Sequence, residues 1–342
     1  MSQVIQFKKL KKDFSYCIDE LAQICDDDLS SINTLINEKI SSKISLIGEI
    51  ASYLILSGGK RLRPLLTSCC YKICKKNITN EKNYIGLAAA VEFIHAATLL
   101  HDDVVDQSKK RRGLETANEV WGNKTSVLVG DFLFSRAFQL MSKDGNPEIL
   151  KILSDTSVTI SEGEILELTN DKNLKLNEDV YFQVINGKTA SLFSAACQVG
   201  GMCAETSQEK IESLRSFGTN FGMSFQLIDD AIDYSSKSIK MGKNIGDDFK
   251  EGKITLPIIL AYLRSDKEEK KFWKKTIEDL NQEKNDFKIA LKIINKYNCI
   301  NDTIERATHF ANIAKDSLGI FEETKYKKIL IDLIDSSLSR IK

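Results

Sequence analysis

Along most of the chain apolar residues return every three or four positions, with little alternation of period two. The pattern is sustained over 85–106, 126–143, 148–169, 178–200, 208–235 and 254–264. That period predicts helices. Pro64, Pro147 and Pro257 are the only prolines, and Gly, Asn or Pro lies near most of the breaks between segments. Several of these segments are apolar on more than one face, as the central members of a bundle should be. The expectation is an all-α protein: a single large helical bundle over residues 1–342, with a motif-bearing core at about 50–260 and a helical C-terminal part at 261–342. Stretch 265–288, SDKEEKKFWKKTIEDLNQEKNDFK, is dominated by charge and reads as a solvated helix with its connection. No Gly/Ser linker, low-complexity block or solenoid-period repeat divides the chain.

Charge narrows the partners. Lysine plus arginine equals aspartate plus glutamate at 48 each, so no net field draws the chain to nucleic acid or an anionic membrane. Any anion must be bound locally. The eight cysteines form no CxxC pair, and no histidine stands at zinc-ligand spacing, so they read as buried free thiols of a reducing compartment. The N-terminal segment has basic residues but no apolar core of signal-peptide length, and the longest uncharged run, Thr189 to Ala204, falls short of a membrane span. A soluble, cytoplasmic protein is expected.

Two short stretches then change the picture. In LLHDDVVD, a helix places Asp102 and Asp106 on one face and turns Asp103 aside by about 100°. In QLIDDAIDY, Asp229 and Asp233 share a face beside Asp230. One such triad is a helix end with solvated acids as readily as a site. Two of them, each set in apolar sequence, suit hard divalent ions, magnesium above all, which keeps water and recruits phosphate oxygens. Phosphate demands bases, and separate clusters supply them. GGKRLRP holds Lys60, Arg61 and Arg63, KKRRG holds Arg111 and Arg112, GKTA holds Lys188 with Thr189, and GKNIGDDFKEGK holds Lys243 and Lys253.

Together with VEFIHAATLLHDDVVD, WGNKTSVLVGDFLFSRA, EGEILEL, FQLIDDAIDY and IGDDFKEGKITLP, these motifs resemble the all-trans polyprenyl diphosphate synthases, over roughly residues 50 to 260. The resemblance implies a helical bundle of the isoprenoid synthase type with a central active-site cavity. It implies condensation of an allylic diphosphate, farnesyl diphosphate as primer, with successive isopentenyl diphosphates by ionisation, condensation and proton loss. Asp102, Asp106 and Asp229 would hold three magnesium ions, with Asp103, Asp230 and Asp233 completing the motifs. Arg111, Lys188, Lys243 and Lys253 would contact the allylic diphosphate; Lys60, Arg63, His95 and Arg112 would take the isopentenyl diphosphate, with Arg61 in support. Thr189 and Gln226 would turn oxygen dipoles toward the allylic cation, or serve as ordinary helix polar groups. His101 reads as structural, and neither His309 nor the tail residues Arg340 and Lys342 has an assigned role. A homodimer with at most transient membrane contact is the family expectation.

Product length should be steric. Four and five residues before Asp102 stand Thr98 and Ala97, where short-chain relatives carry bulky aromatics, and Ala88, Ala89, Ala90 and Ala96 lie upstream. At about 1.5 Å per residue Ala90 lies about 10 Å behind Ala97, so room for a long tail is expected, with octaprenyl as the product. Phe132, Phe134, Phe138 and Met141 are floor candidates, or simply core. The competing readings are a farnesyl or geranylgeranyl synthase, a terpene cyclase, disfavoured by the intact second aspartate motif, and a non-catalytic helical subunit of a partner synthase.

Overall fold

The computed structural model describes residues 13–56, 58–75, 83–235 and 246–341. The fold is all-α, as the apolar period predicts. In chain order the helices are α1 (Phe14–Ile24), α2 (Asp26–Ile40), α3 (Ser45–Leu56), α4 (Leu62–Cys74), α5 (Asn83–Val105), α6 (Ala117–Trp121), α7 (Asn123–Asp144), α8 (Pro147–Thr169), α9 (Glu178–Ile185), α10 (Ser191–Cys203), α11 (Gln208–Asp233), α12 (Asp247–Glu251), α13 (Leu256–Arg264), α14 (Lys267–Trp273), α15 (Asp286–Lys296), α16 (Cys299–Ser317) and α17 (Lys325–Ser339). Local chemistry sets several starts. Asn146 accepts from the Ile149 amide at 2.8 Å with Pro147 opening α8, and Asp266 and Glu269 close a capping box on α14.

At the centre, α5 lies along α7 and touches α4 and α10, while α11 lies along α10 and α16. One buried cluster unites α1–α5, α7, α8, α10 and the first half of α11, where Phe93, Phe193, Phe217 and Phe221 are fully enclosed. A second, around Trp273, Phe249 and Leu256, takes in the far end of α11. Because α11 and α16 contribute to both clusters, the C-terminal helices are packed onto the motif-bearing ones. By length and composition α5 alone, among the described helices, is apolar enough to cross a membrane, yet 78% of its most apolar window is buried in the bundle.

Two local expectations need correction, and one small element lies outside the helical pattern. Segment 178–200 is not one helix: a π-helical turn, Asn186–Ala190, separates α9 from α10, and a hydrophobic period cannot register one inserted residue. Residues 110–115 form a small hairpin, β1 (Lys110–Arg111) with β2 (Leu114–Glu115), in which Arg111 pairs with Leu114. Its two-residue turn has φ of 53° at Arg112 and 81° at Gly113, the primed-turn geometry that an arginine adopts only at some cost. Charged stretch 265–288 is not merely solvated, because Trp273 and Ile277 are fully buried and the Trp273 indole donates to Ser265 Oγ at 3.0 Å. A fixed cluster of charge hid two anchors.

Candidate active site

The two acidic motifs stand at the C-terminal ends of α5 and α11. The Asp106 amide donates to the Asp102 carbonyl at 2.8 Å, so the helical turn carries Asp106 past the last residue of α5. Between the motifs lies an open cavity of about 470 Å³ whose wall includes Asp102, Asp229, Thr98, Thr189 and Gln226. Burial pushes the Asp102 carboxyl up to about 6, opposed by Lys188 and reinforced by Asp106.

The base clusters meet on the same cavity. Lys60, Arg61, Arg63, His95, Arg111, Arg112 and Lys188 all line it. The Arg63 guanidinium lies 4.2 Å from the centre of the Phe193 ring, and burial lowers it to about 10 against the pull of Glu92. Arg61 is supportive, as expected: Nη1 donates to Glu92 Oε1 at 3.0 Å and Nη2 to the Ile55 carbonyl at 2.6 Å. Both guanidinium ends approach the backbone at Gly59, where a Cβ would stand 2.8 Å from Arg61 Nη1 and 3.3 Å from Arg112 Nη1. Burial first, then its arginine neighbours, holds His95 well below its ordinary value, so it is neutral at physiological pH. Lys60 donates to Ser15 Oγ on α1. So many cations around one cavity leave a strong demand for an anion.

Ion pairs tie the two walls together. Arg111 grips buried Asp103 bidentately, with Nε and Nη2 donating at 3.0 and 2.8 Å, so Asp103 orients the hairpin arginine and turns away from the cavity. Lys188 donates to Glu164 Oε2 at 2.8 Å and Glu167 Oε2 at 2.7 Å. That clamp depends on a glycine contact between α8 and the π-turn, where a Cβ on Gly163 would lie 2.9 Å from the Lys188 backbone nitrogen. Lys253 reaches Asp106 at 3.4 Å, and Asp233 Oδ2 accepts from the Asp248 amide at 3.2 Å. Thr189, Gln226 and Asp230 are joined by hydrogen bonds of 2.9 and 2.8 Å. Lys243 lies outside the described residues.

Four participants were not singled out from the sequence. Glu164 and Glu167 lie in EGEILEL at three-residue spacing, interleaved with Ile165, Leu166 and Leu168, a signal that could have marked them. Tyr181, seven residues before Lys188, donates to Asp230 Oδ2 at 2.5 Å. Arg340, from the tail without an assigned role, donates to Asp229 Oδ1 at 2.6 Å between Phe14 and Phe225. His101 is structural, its Nε2 3.1 Å from the Val127 carbonyl on α7. Thr98 lines the cavity, whereas Ala97 is enclosed at 1% exposure. Phe138 is 42% exposed and Met141 is buried, so the four floor candidates do not share one environment.

Among the described residues no three His, Cys, Asp or Glu side chains converge on a preformed metal cage. The donor set nevertheless fits a hard cation. Side-chain cations already stand against the acids expected to hold metal: Arg340 on Asp229, Lys253 on Asp106, and Lys188 close enough to Asp102 to lower its pKa. A pH dependence follows. Burial raises Glu164 to about 7, against Lys188, as it raises Asp102 to about 6. Folded-state values above the ordinary ones stabilise the fold fully below about pH 4, and that contribution is lost as pH rises through them. In chelator, the thermal midpoint should fall between pH about 4.5 and about 7 from these groups, with a shallower slope in Asp102→Asn.

A sequence profile of the polyprenyl synthetase family matches residues 44–294. The chain belongs to the polyprenyl synthetase family. This synthetase is 37% identical over 324 residues to octaprenyl diphosphate synthase of Escherichia coli (strain K12), spanning 94% of the present chain and 99% of that relative. It is 39% identical over 323 residues to a geranyl-diphosphate-specific all-trans-nonaprenyl-diphosphate synthase of Rhodobacter capsulatus, covering 94% and 98%. Its fold matches the crystal structure of a decaprenyl diphosphate synthase from Rhodobacter capsulatus, with a TM-score of 0.90, 43% identity and coverage of 95% and 99%. A polyprenyl synthase from Caulobacter crescentus, crystallised with calcium and isoprenyl diphosphate, matches with a TM-score of 0.89 at 42% identity, covering 95% and 98%. The bundle is therefore of the isoprenoid synthase type, and the enzyme class implied by the motifs, a trans-prenyltransferase, is that of the family.

Proposed function

We propose that the enzyme condenses an allylic diphosphate, farnesyl diphosphate as primer, with successive isopentenyl diphosphates and releases octaprenyl diphosphate. One observation carries the reading: two aspartate motifs and a separate base cluster border a single cavity, so a metal-held diphosphate and a metal-free one have distinct places. Asp102, Asp106 and Asp229 would hold magnesium, three ions per site, and such ions supply neutralisation of the charge that builds on a departing diphosphate.

The chain's own residues do the rest. Lys188, held by Glu164 and Glu167, and Arg111, held by Asp103, present fixed cations to the allylic diphosphate, together with Lys253 and Lys243. Lys60, Arg63, Arg112 and neutral His95 receive isopentenyl diphosphate. Thr189 and Gln226 offer oxygen dipoles to the carbon that becomes positive, and no general base is needed because released diphosphate takes the final proton. The octaprenyl, nonaprenyl and decaprenyl relatives favour a long product, and Thr98, on the cavity wall one turn below Asp102, would stand at the start of the tail's path. We further infer one domain over the whole chain and a homodimer joined through α7, where Val127, Leu128 and Phe138 are exposed. Work in the cytoplasm, with transient membrane contact for product release, agrees with eight buried free cysteines.

Purified enzyme given farnesyl diphosphate, labelled isopentenyl diphosphate and Mg²⁺ should yield all-trans octaprenyl diphosphate by mass analysis. A product stopping at geranylgeranyl length would favour the short-chain reading. Well-folded protein without turnover would favour a non-catalytic subunit.

A further inference from the structure

Tyr181 has no part in the chemistry above, yet its hydroxyl begins a relay of side chains that ends at the substrate cavity. On α9 it is 3% exposed and borders a polar chamber of about 160 Å³ with Asp230, Lys188 and Lys253. Its hydroxyl donates to Asp230 Oδ2 at 2.5 Å. Asp230 Oδ1 accepts from Gln226 Nε2 at 2.8 Å, and Gln226 Oε1 accepts from Thr189 Oγ1 at 2.9 Å. Thr189 and Gln226 line both the chamber and the substrate cavity.

The direction of every bond in this chain follows from its far end. Burial and the neighbouring Asp230 charge raise the Tyr181 phenol well above its ordinary value, so it is neutral and has one hydrogen to give. The geometry makes both contacts of Asp230 accepted ones, Oδ2 taking the phenol hydrogen and Oδ1 an amide hydrogen. The Gln226 amide must then turn its NH₂ to Asp230 and its carbonyl to Thr189, because the flipped amide would set oxygen against oxygen. Thr189 is left with one choice: its hydrogen points to Gln226, and only lone pairs remain for the cavity.

We propose that Tyr181 is a positioning residue which, through Asp230 and Gln226, fixes the Thr189 hydroxyl so that a lone pair faces the carbon made positive when the allylic diphosphate ionises. This rests on the prenyl-transfer reading. A fixed oxygen dipole stabilises developing positive charge at no cost of reorientation during the reaction, and it is a weaker trap than a water would be. Without the hydroxyl, Asp230 Oδ2 loses its donor, the carboxylate can turn, and the amide orientation is no longer dictated.

Tyr181→Phe keeps the ring and removes only the relay's origin. Its kcat should fall on the order of tenfold with little change in the KM for isopentenyl diphosphate. Two calorimetric titrations with Mg²⁺ separate positioning from packing. An ammonium analogue of the allylic cation, bound with inorganic diphosphate, should lose about tenfold in affinity, while the thiolo-diphosphate analogue of the substrate, whose prenyl chain carries no positive charge, should bind as before. Because Thr189→Val removes the same dipole, the double variant Tyr181→Phe/Thr189→Val should be no slower than Thr189→Val alone. Losses that multiply in the double variant, or an unchanged preference for the ammonium analogue, would overturn the relay. Wild-type enzyme that takes up neither analogue would overturn the prenyl-transfer reading and the relay with it.

Discussion

Replacing Asp102 by alanine should lower kcat for condensation by about 10²- to 10³-fold without unfolding the enzyme. The carboxylate faces the cavity, and α5 needs nothing from it: the side chain is desolvated, shares a helical turn with Asp106, and is pushed up to about 6. Its neutral-pH charge is a burden on the fold that Lys188 and Arg111 relieve in part and a bound cation would relieve further. In chelator at pH 7.5 the thermal midpoint of Asp102→Ala should therefore match or exceed wild type, while steady-state turnover collapses. A midpoint well below wild type would mean that Asp102 is structural. Turnover within tenfold would mean that it does not serve the departing diphosphate.

The other large effect is on product rather than rate. Thr98 lines the cavity one turn below Asp102, so Thr98→Phe places a ring directly in the path of the tail and should shorten the main product to about geranylgeranyl length, with the first condensation retained. Ala97→Phe should also shorten it, by a different route. Ala97 is enclosed at 1% exposure, so the ring must displace packed neighbours, and the fold should lose about 1–3 kcal/mol. Product mass and denaturant midpoint, measured on both variants, separate the two routes. Octaprenyl product from Thr98→Phe would place the tail elsewhere.

Much of this was legible before any coordinates. The helical period located α5, α7, α8 and α11 to within a few residues, because long amphipathic stretches with few prolines have little else to become. Both aspartate triads and most of their bases could be read for a related reason: charges set inside apolar helices stand out against their surroundings. What escaped notice depends on the third dimension. Glu164 and Glu167 matter because Gly163 lets α8 touch the π-turn that carries Lys188, and no linear pattern announces a helix contact or an inserted residue. Arg340 is an ordinary tail cation in sequence; only α17 packing beside α1 and α11 brings it to Asp229. The helical period turns Asp103 aside from the Asp102 face, but its partner shows only where the hairpin brings Arg111 back onto it.

Acids from α5 and α11 should jointly hold the divalent cations that bind a diphosphate. Isothermal calorimetry of a bisphosphonate, titrated at several Mg²⁺ concentrations into wild type and into Asp102→Ala/Asp229→Ala, tests it most directly. Wild-type affinity should rise steeply with Mg²⁺, and the double variant should bind weakly with that dependence gone. Undiminished affinity with the same Mg²⁺ dependence in the double variant would mean that the two aspartates hold no cation for the diphosphate.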